Sequence, residues 1–423
     1  MKTFYIESLG CPKNLADSEI FKYLAIKANI TPVSNPEKAE LIIVNTCGFI
    51  ESAKEEAVNT ILEMAELKET GACKNLTATG CFVRRYMKNL IEEIPEVDHW
   101  IDLKDFKKFA ELMNLKQEKF KRELMTPDYF AYIRISDGCN NRCSYCAIPG
   151  IRGKLDSVPL ENLLEEAKYL ADKGVKELIV TAQDTANYGY DINGKSQLPE
   201  LLEKLNEIKG FEWIRVLYLH PAHLTEKIVD KMAELNKVIP YFDIPLQHIN
   251  NDLLKSMNRH TNKEHILNIL NYIRKTLPEA VIRTTFIVGY PGESFAKYKE
   301  LRDFIKIAKF EKLGVFAYSP EEGTPAYEFP KQVSRKTAQK RCDELMSIQQ
   351  EISENYLTGL IGKKIPVIIE RKSESEDFSW EGRSIFDAPE IDGIVYVISG
   401  NYCIGDIVKL SVTDAWEYDL IAE

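Results

Sequence analysis

No stretch of this 423-residue chain is long and apolar enough to read as a membrane span. The N-terminus, MKTFYIESLGCPKN, lacks the apolar core of a secretion signal. The expected setting is therefore the cytoplasm, with no membrane partner. Positive charge is also short: 55 Lys and Arg stand against 65 Asp and Glu, a net −10. That balance argues against tight, nonspecific nucleic-acid binding, although a local basic patch remains compatible with it. Histidine is scarce at six residues. No internal repeat is evident beyond an alternation of strand-like and helix-like runs. What remains is a chain with 44% hydrophobic residues and 28% charge, suited to a soluble enzyme of several domains.

Cysteine is the exception to this scarcity. Six of the nine cysteines fall into two triads. The first is local: Cys139, Cys143 and Cys146 in SDGCNNRCSYCAIPGIRG. This spacing lets one tight loop aim three sulfurs at one point, and soft thiolates suit iron–sulfur clusters or zinc. A structural zinc site wants four closed ligands. No fourth Cys follows nearby, and the nearest His, His99, lies well upstream. Three thiolates on a 4Fe–4S cluster would leave one iron open to substrate or cosubstrate. A disulfide framework is excluded by the odd count and the reducing setting.

The second triad is dispersed: Cys11, Cys47 and Cys81. Each follows a short apolar or alternating run, FYIESLG, LIIVNT or NLTATG, and a helical pattern follows each. A β-α-β-α order implies a parallel sheet, and ligands gather beyond the carboxyl ends of such strands. All three cysteines are expected on that edge, as a second three-thiolate site requires. Cys73, Cys342 and Cys403 have no ligand-type neighbours; Cys73 reads as a turn residue, Cys342 as helical and Cys403 as part of a short strand.

Three segments follow from the pass along the chain. Residues 1–115 carry the parallel α/β pattern. The stretch LKQEKFKRELMTPDYF reads as a linker. Residues 128–358 hold six strand-like runs, YIRIS, ELIVTA, IRVLYL, YFDIP, VIRTTFIVG and LGVFAYS, separated by helical patterns and followed by a long charged helix near 334–358. Six such units make an open barrel rather than the closed eight-unit form. Residues 360–423, with short β-rich runs and Gly and Pro turns, read as a small β-barrel.

A CxxxCxxC loop after the first strand of a six-unit barrel resembles the radical S-adenosylmethionine (SAM) enzymes. The dispersed triad and the small C-terminal barrel, called TRAM, resemble the methylthiotransferase branch. SLGCPKNLADSE, NTCGFI, TAQDTANYG, SPEEGTPAY and RSIFDAPEIDG resemble the members acting on an aspartate of small-subunit ribosomal protein twelve. A sister branch modifies an isopentenyl adenosine in transfer RNA. The resemblance covers essentially the whole chain. It implies two 4Fe–4S clusters and SAM as cofactors, a ribosomal protein as substrate, and an external electron donor. A noncatalytic iron–sulfur carrier would need neither the barrel nor the C-terminal domain. One departure stands out: relatives usually read Ser-Arg-Pro where this chain has Ser157-Val158-Pro159.

Other residues carry weaker signals. Tyr145 lies where the superfamily places an aromatic near adenine. Gln183 and Asp184, in TAQD, follow the second strand and resemble the region that meets the SAM amine, although Asp184 also suits a helix cap. Arg283 on the fifth strand could face a carboxylate bidentately. Gln247 and His248 end another strand and could touch SAM, with His248 equally a satisfied polar residue. Gly289 and Gly292 suit a tight turn. Glu321 and Glu322 read as solvated charges. In residues 360–423, six Lys and Arg stand against thirteen Asp and Glu, a balance of −7. An acidic barrel suits a basic protein better than RNA phosphates.

Anaerobic reconstitution with iron and sulfide is expected to load about eight irons per chain, from two sites that each offer three thiolates to a 4Fe–4S cluster. Ala at Cys139, Cys143 and Cys146 should remove about half of the iron and all SAM cleavage. Ala at Cys11, Cys47 and Cys81 should remove the other half and leave SAM cleavage to deoxyadenosine intact. Iron assay and product chromatography check both, and full iron in the second variant would refute the dispersed site.

Overall fold

The computed structural model describes residues 1–116 and 121–423, so part of the expected linker, residues 117–120, lies outside the described residues. The chain divides into two compact units. The first comprises Met1–Pro127, Tyr132–Asp156 and Glu321–Thr324. The second comprises Asp128–Ala131, Ser157–Pro320 and Pro325–Glu423.

The first unit is built on five parallel strands: β1 (Thr3–Ser8), β2 (Thr31–Pro32), β3 (Leu41–Thr46), β4 (Asn75–Gly80) and β5 (His99–Trp100). Their order is β2-β1-β3-β4-β5. Helices α1 (Pro12–Lys27), α2 (Glu51–Thr70), α3 (Cys81–Glu93) and α4 (Phe106–Leu112) make the connections. Every residue of β3, LIIVNT, is buried. Successive side chains leave a strand on opposite faces. Ile42 and Val44 therefore join Ala57, Ile61, Leu76 and Phe82 in one core, while Leu41 and Ile43 join Phe4, Phe21, Leu24 and Phe109 in the other. A strand buried on both faces reads as a continuous apolar run, which is why no alternation marks it.

Two junctions set the site. Pro12 opens α1 directly after Cys11, where its fixed φ is already helical. Strand β4 passes into α3 with no loop, through Gly80 at φ 103°. A Cβ there would lie 2.4 Å from the Thr46 carbonyl oxygen, so only glycine fits. The helical pattern RRYMKNLIEEI, residues 84–94, belongs to a helix that starts earlier, at Cys81 itself.

The second unit holds the barrel strands Glu177–Thr181, Trp213–Val216, Tyr241–Gln247, Val281–Val288 and Lys312–Ala317, with Phe130 and Ala131 opening a sixth. They form two three-stranded sheets in chain order. The bridge from Ile214 to Val238 and the bond from Leu219 N to Asp243 O (2.8 Å) join the two sheets side by side. Six strands in order, not eight, match the expected open barrel. Ser334 caps the helix Arg335–Thr358 by accepting from Thr337 N. The last segment closes a five-stranded barrel from Lys364–Lys372, Trp380–Ser384, Val395–Val397, Ile407–Ala415 and Leu420–Ala422. Cys403 precedes the fourth of these strands in a loop, not in a strand as expected.

Ions join this small barrel to the larger one. Buried Glu177 accepts from Arg215 Nε at 2.7 Å and from Arg383 Nη2. Asp387 binds Lys312, and Asp392 accepts from the Tyr241 hydroxyl at 2.6 Å. Arg215 Nη2 donates to the Ile385 carbonyl at 3.2 Å. The motif RSIFDAPEIDG is thus the anchor of the C-terminal barrel.

Replacing Glu177 with Gln leaves buried Arg215 without its carboxylate and Arg383 with Glu370 alone (3.1 Å), and should cost about 3 kcal/mol. Burial alone would raise the Glu177 pKa, but Arg383 and Arg215 hold it below its ordinary value of 4.5. A depressed carboxyl contributes stability that is complete above its unfolded value and lost as pH falls through the folded one. Urea melts from about pH 5 to about pH 2, below the unfolded value, should therefore show a steeper acid loss in the wild type than in E177Q.

Candidate active site

The three dispersed cysteines come together. Strands β1, β3 and β4 are neighbours, paired Ser8 to Asn45 and Thr46 to Gly80 at their carboxyl ends. Cys11 is the N-cap of α1, Cys47 follows β3, and Cys81 opens α3. Thiolates at helix N-termini are favoured by the unpaired backbone N–H groups there. A Cβ on Gly10, at φ 89°, would lie 2.7 Å from Cys47 Cβ and 2.9 Å from its sulfur. The loop bearing Cys11 therefore passes directly over Cys47, and only glycine permits it.

Asn14 ties these parts together. Its Nδ2 donates to the carbonyls of Leu9 (3.0 Å) and Thr46 (2.9 Å), and its Oδ1 accepts from Cys81 Sγ at 3.4 Å. Asn45 Nδ2 donates back to the Asn14 carbonyl at 2.8 Å. Arg152, from the short helix Ile148–Arg152, donates to Asn14 Oδ1 at 2.6 Å and to Asp17 Oδ2 at 3.1 Å. Its other nitrogen reaches Asp137 at 3.1 Å. Nothing in the spacing of cysteines had pointed to Asn14 or Arg152.

The thiols feel one another. Burial pushes Cys81 up to about 12, against the pull of Arg152 and with further upward pressure from Cys11 and Cys47. Burial likewise raises Cys47, with Cys11 and Glu56 adding to it. Burial also acts upward on Cys11, but Lys13, Arg152 and the N–H groups of Asn14 and Lys13 outweigh it and lower the net value. A bound cation would offset this mutual repulsion and favour the thiolate forms. The soft donor set and the glycine cradle fit an iron–sulfur cluster.

The local triad lies in the same unit. Cys143 is buried; Cys139 and Cys146 are half-buried. Cys139 N donates to the Gly153 carbonyl at 3.1 Å, and Cys146 N to the Cys143 carbonyl at 3.0 Å. These bonds tie the start of the loop to Gly153 and make a turn between Cys143 and Cys146. Tyr145 is half-buried within it. Glu321, expected to be solvated, is buried and pairs with Arg85 (2.9 Å) and Lys54 (3.2 Å). A count of charges along a loop does not reveal such partners, because they come from α2 and α3.

In the second unit, Gln183 and Asp184 follow Glu177–Thr181, and Gln247 ends Tyr241–Gln247 at φ 68°. Asp184 makes no cap bond; it meets His223 Nδ1 at 2.6 Å. His220, His223 and Asp184 present donor atoms within 4.8 Å of one another. These histidines were not singled out, although LHPAH at a strand end was a readable signal. Arg283 reaches Asp243 (3.1 Å) and Asp392 (3.6 Å). The carboxylates it meets are the chain's own, so the contact on view is a seam with the C-terminal barrel. His248 is buried and satisfied by Glu293 (3.3 Å) and Asn250 N (3.0 Å). Gly289 and Gly292 both take positive φ. Val158 contributes only its carbonyl, which accepts from the Tyr188 hydroxyl at 2.9 Å.

Comparison with known proteins agrees with this layout. Residues 133–305 match the radical SAM superfamily, residues 3–102 the family described as Uncharacterized protein family UPF0004, and residues 361–423 the TRAM domain. The ribosomal protein uS12 methylthiotransferase RimO of Clostridioides difficile (strain 630) is 46% identical over 435 residues, 99% of this chain and 98% of that protein. The RimO of Aquifex aeolicus (strain VF5) is 46% identical over 417 residues, 98% of this chain and 95% of that one. The chain belongs to the RimO family. As a radical SAM enzyme, this RimO-family protein uses SAM and a 4Fe–4S cluster. Among solved structures, the radical SAM methyltransferase TsrM from Kitasatospora setae has a TM-score of 0.56 at 13% identity, covering 77% of each chain, which supports the fold alone.

Gly10→Ala should crowd Cys47 and disfavour the positive φ. The reconstituted variant of this RimO-family chain is expected to lose about half its iron while keeping its far-ultraviolet circular dichroism. Unchanged iron would separate Gly10 from metal binding.

Proposed function

We propose that this chain adds a methylthio group to the β-carbon of an aspartate in ribosomal protein uS12. It is a radical SAM methylthiotransferase, and the reading rests above all on the full-length likeness to RimO proteins across all three segments. Residues 1–115 act as the methylthiotransferase α/β domain, 128–358 as the radical SAM partial barrel with its exit helix, and 360–423 as the TRAM barrel. Cys139, Cys143 and Cys146 hold one 4Fe–4S cluster and leave one iron open for SAM. Cys11, Cys47 and Cys81 hold a second, whose open iron is free for the sulfur to be transferred. When bound, the first cluster and SAM supply a hydrogen abstraction that acid–base side chains cannot perform. Tyr145, Gln183 and Gln247 orient SAM. An external electron donor supplies the reducing electron, and the setting is cytoplasmic. No helix among the described residues is long and apolar enough to cross a membrane.

The C-terminal barrel supports a protein substrate, but less of its charge is available than a count suggests. Asp387 pairs with Lys312, Asp392 with Arg283, and Glu381 with Arg371. Glu374, Glu376 and Asp377 are exposed and open to a basic partner. Changing these three to Lys should slow uS12 modification and weaken its dependence on salt near about 0.15 M, where charges are screened beyond about 8 Å. Cleavage of SAM should be unchanged. Mass spectrometry of uS12 and of transfer RNA, after incubation with SAM and reductant, tests the whole reading. Modified transfer RNA and unmodified uS12 would favour the nucleic-acid branch instead.

A further inference from the structure

Arg152 stands out among the buried charges because it leaves the segment of one triad to contact the surroundings of the other. It follows Cys139, Cys143 and Cys146 on the chain, yet its guanidinium ends against Asn14 and Asp17, in the helix that begins at Cys11. Its side chain is 1% exposed. Cys81 Sγ and the guanidinium both donate to Asn14 Oδ1, at 3.4 and 2.6 Å, which sets the positive charge beside the Cys81 sulfur. Arg152 also acts electrostatically on Cys11 and Cys47.

The neighbouring charges do not cancel it. Asp17 is shared by Arg152 and Arg134; Asp137 is shared by Arg152, Arg134 and Lys104. Three cations thus face two carboxylates, and one of the three, Arg152, lies beside the thiols, with Glu56 acting in the opposite sense on Cys47. Hydrogen bonds to ligand sulfurs and nearby positive charge both stabilise the reduced, more negative form of a cluster.

We propose that Arg152 is a positioning residue for the Cys11–Cys47–Cys81 site, holding the Cys81 corner and raising the reduction potential of the cluster bound there. This rests on the reading of that triad as a cluster site. The two can be tested apart in a chain with Cys139, Cys143 and Cys146 changed to Ala, which leaves one triad. About four irons per reconstituted chain support the site itself, and no iron overturns site and proposal together. In that background, the midpoint potential is measured by reductive titration followed by electron paramagnetic resonance.

Arg152→Gln is expected to keep the iron and move the midpoint to a more negative value, with Arg152→Lys restoring most of the shift. Loss of iron in R152Q with retention in R152K also supports the role, through the positioning of Cys81. Where R152Q fails to fold, Asp17→Asn serves: it removes one of the two opposing carboxylates and should move the midpoint in the positive direction. An unchanged midpoint in R152Q at full iron, or in D17N, overturns the proposal.

Discussion

One buried amide holds the first unit's sulfur chemistry in register. Asn14 is 1% exposed, and its side chain spends both donors and its acceptor on four different segments. It binds the end of the Cys11 loop through Leu9, the end of β3 through Thr46, the start of α3 through Cys81, and the distant Arg152. A buried amide left with an unmet donor or acceptor carries a cost of about 1–3 kcal/mol for each. Displacing Leu9 or Thr46 leaves an amide donor unmet, and displacing Cys81 and Arg152 together leaves the acceptor unmet. The geometry of three cysteines far apart in sequence is thereby coupled to a single side chain. A parallel sheet brings the strand ends to one edge, but it leaves the loops free, and Asn14 removes that freedom.

Buried ions play a comparable part, and their value is positional. Taking charges out of water costs several kcal/mol per ion, which mutual attraction often only offsets. Asp17, Asp137, Arg134 and Arg152 in the first unit, and Glu177, Arg215 and Arg383 in the second, are therefore poor candidates for net stabilisers. Each set does make alternatives expensive. A barrel that slid along Glu177–Thr181 would leave Arg383 with Glu370 alone, and an Arg152 that swung away would take a buried guanidinium from both Asp17 and Asp137. Specificity of arrangement is what such networks supply.

Part of this was legible in the sequence. The CxxxCxxC spacing is local, so geometry follows from spacing alone. The runs FYIESLG, LIIVNT and NLTATG read as parallel strands because a helical pattern follows each, and LIIVNT is buried on both faces. Their order then placed three cysteines on one edge. Six barrel strands and the long helix after Ser334 were also readable from alternation and capping. Partners were not. Arg152, Glu321 and Asp387 look like ordinary charges in one dimension, and each is buried against residues far away in the chain. Arg283 shows the same limit from the other side, since a free guanidinium in the sequence is a paired one in the fold. Periodicity reports which face is apolar; it does not report which charges meet inside.

The same distinction separates the charge of a domain from the surface it offers. The C-terminal barrel counts −7 along its sequence, yet Glu381, Asp387 and Asp392 answer cations of the chain itself. Two of those cations, Lys312 and Arg283, lie outside the barrel, so part of its acidity is consumed in attaching it. What remains exposed includes Glu374, Glu376 and Asp377, between the strands Lys364–Lys372 and Trp380–Ser384, and also Glu390, Asp414, Glu417 and Glu423. Screening in physiological salt confines their influence to about 8 Å. A short acidic turn of this kind can steer and orient a basic loop on close approach, but it cannot attract one from a distance by bulk charge. The count along the chain therefore overstates what the barrel offers to a partner, because the paired part of its charge serves the fold.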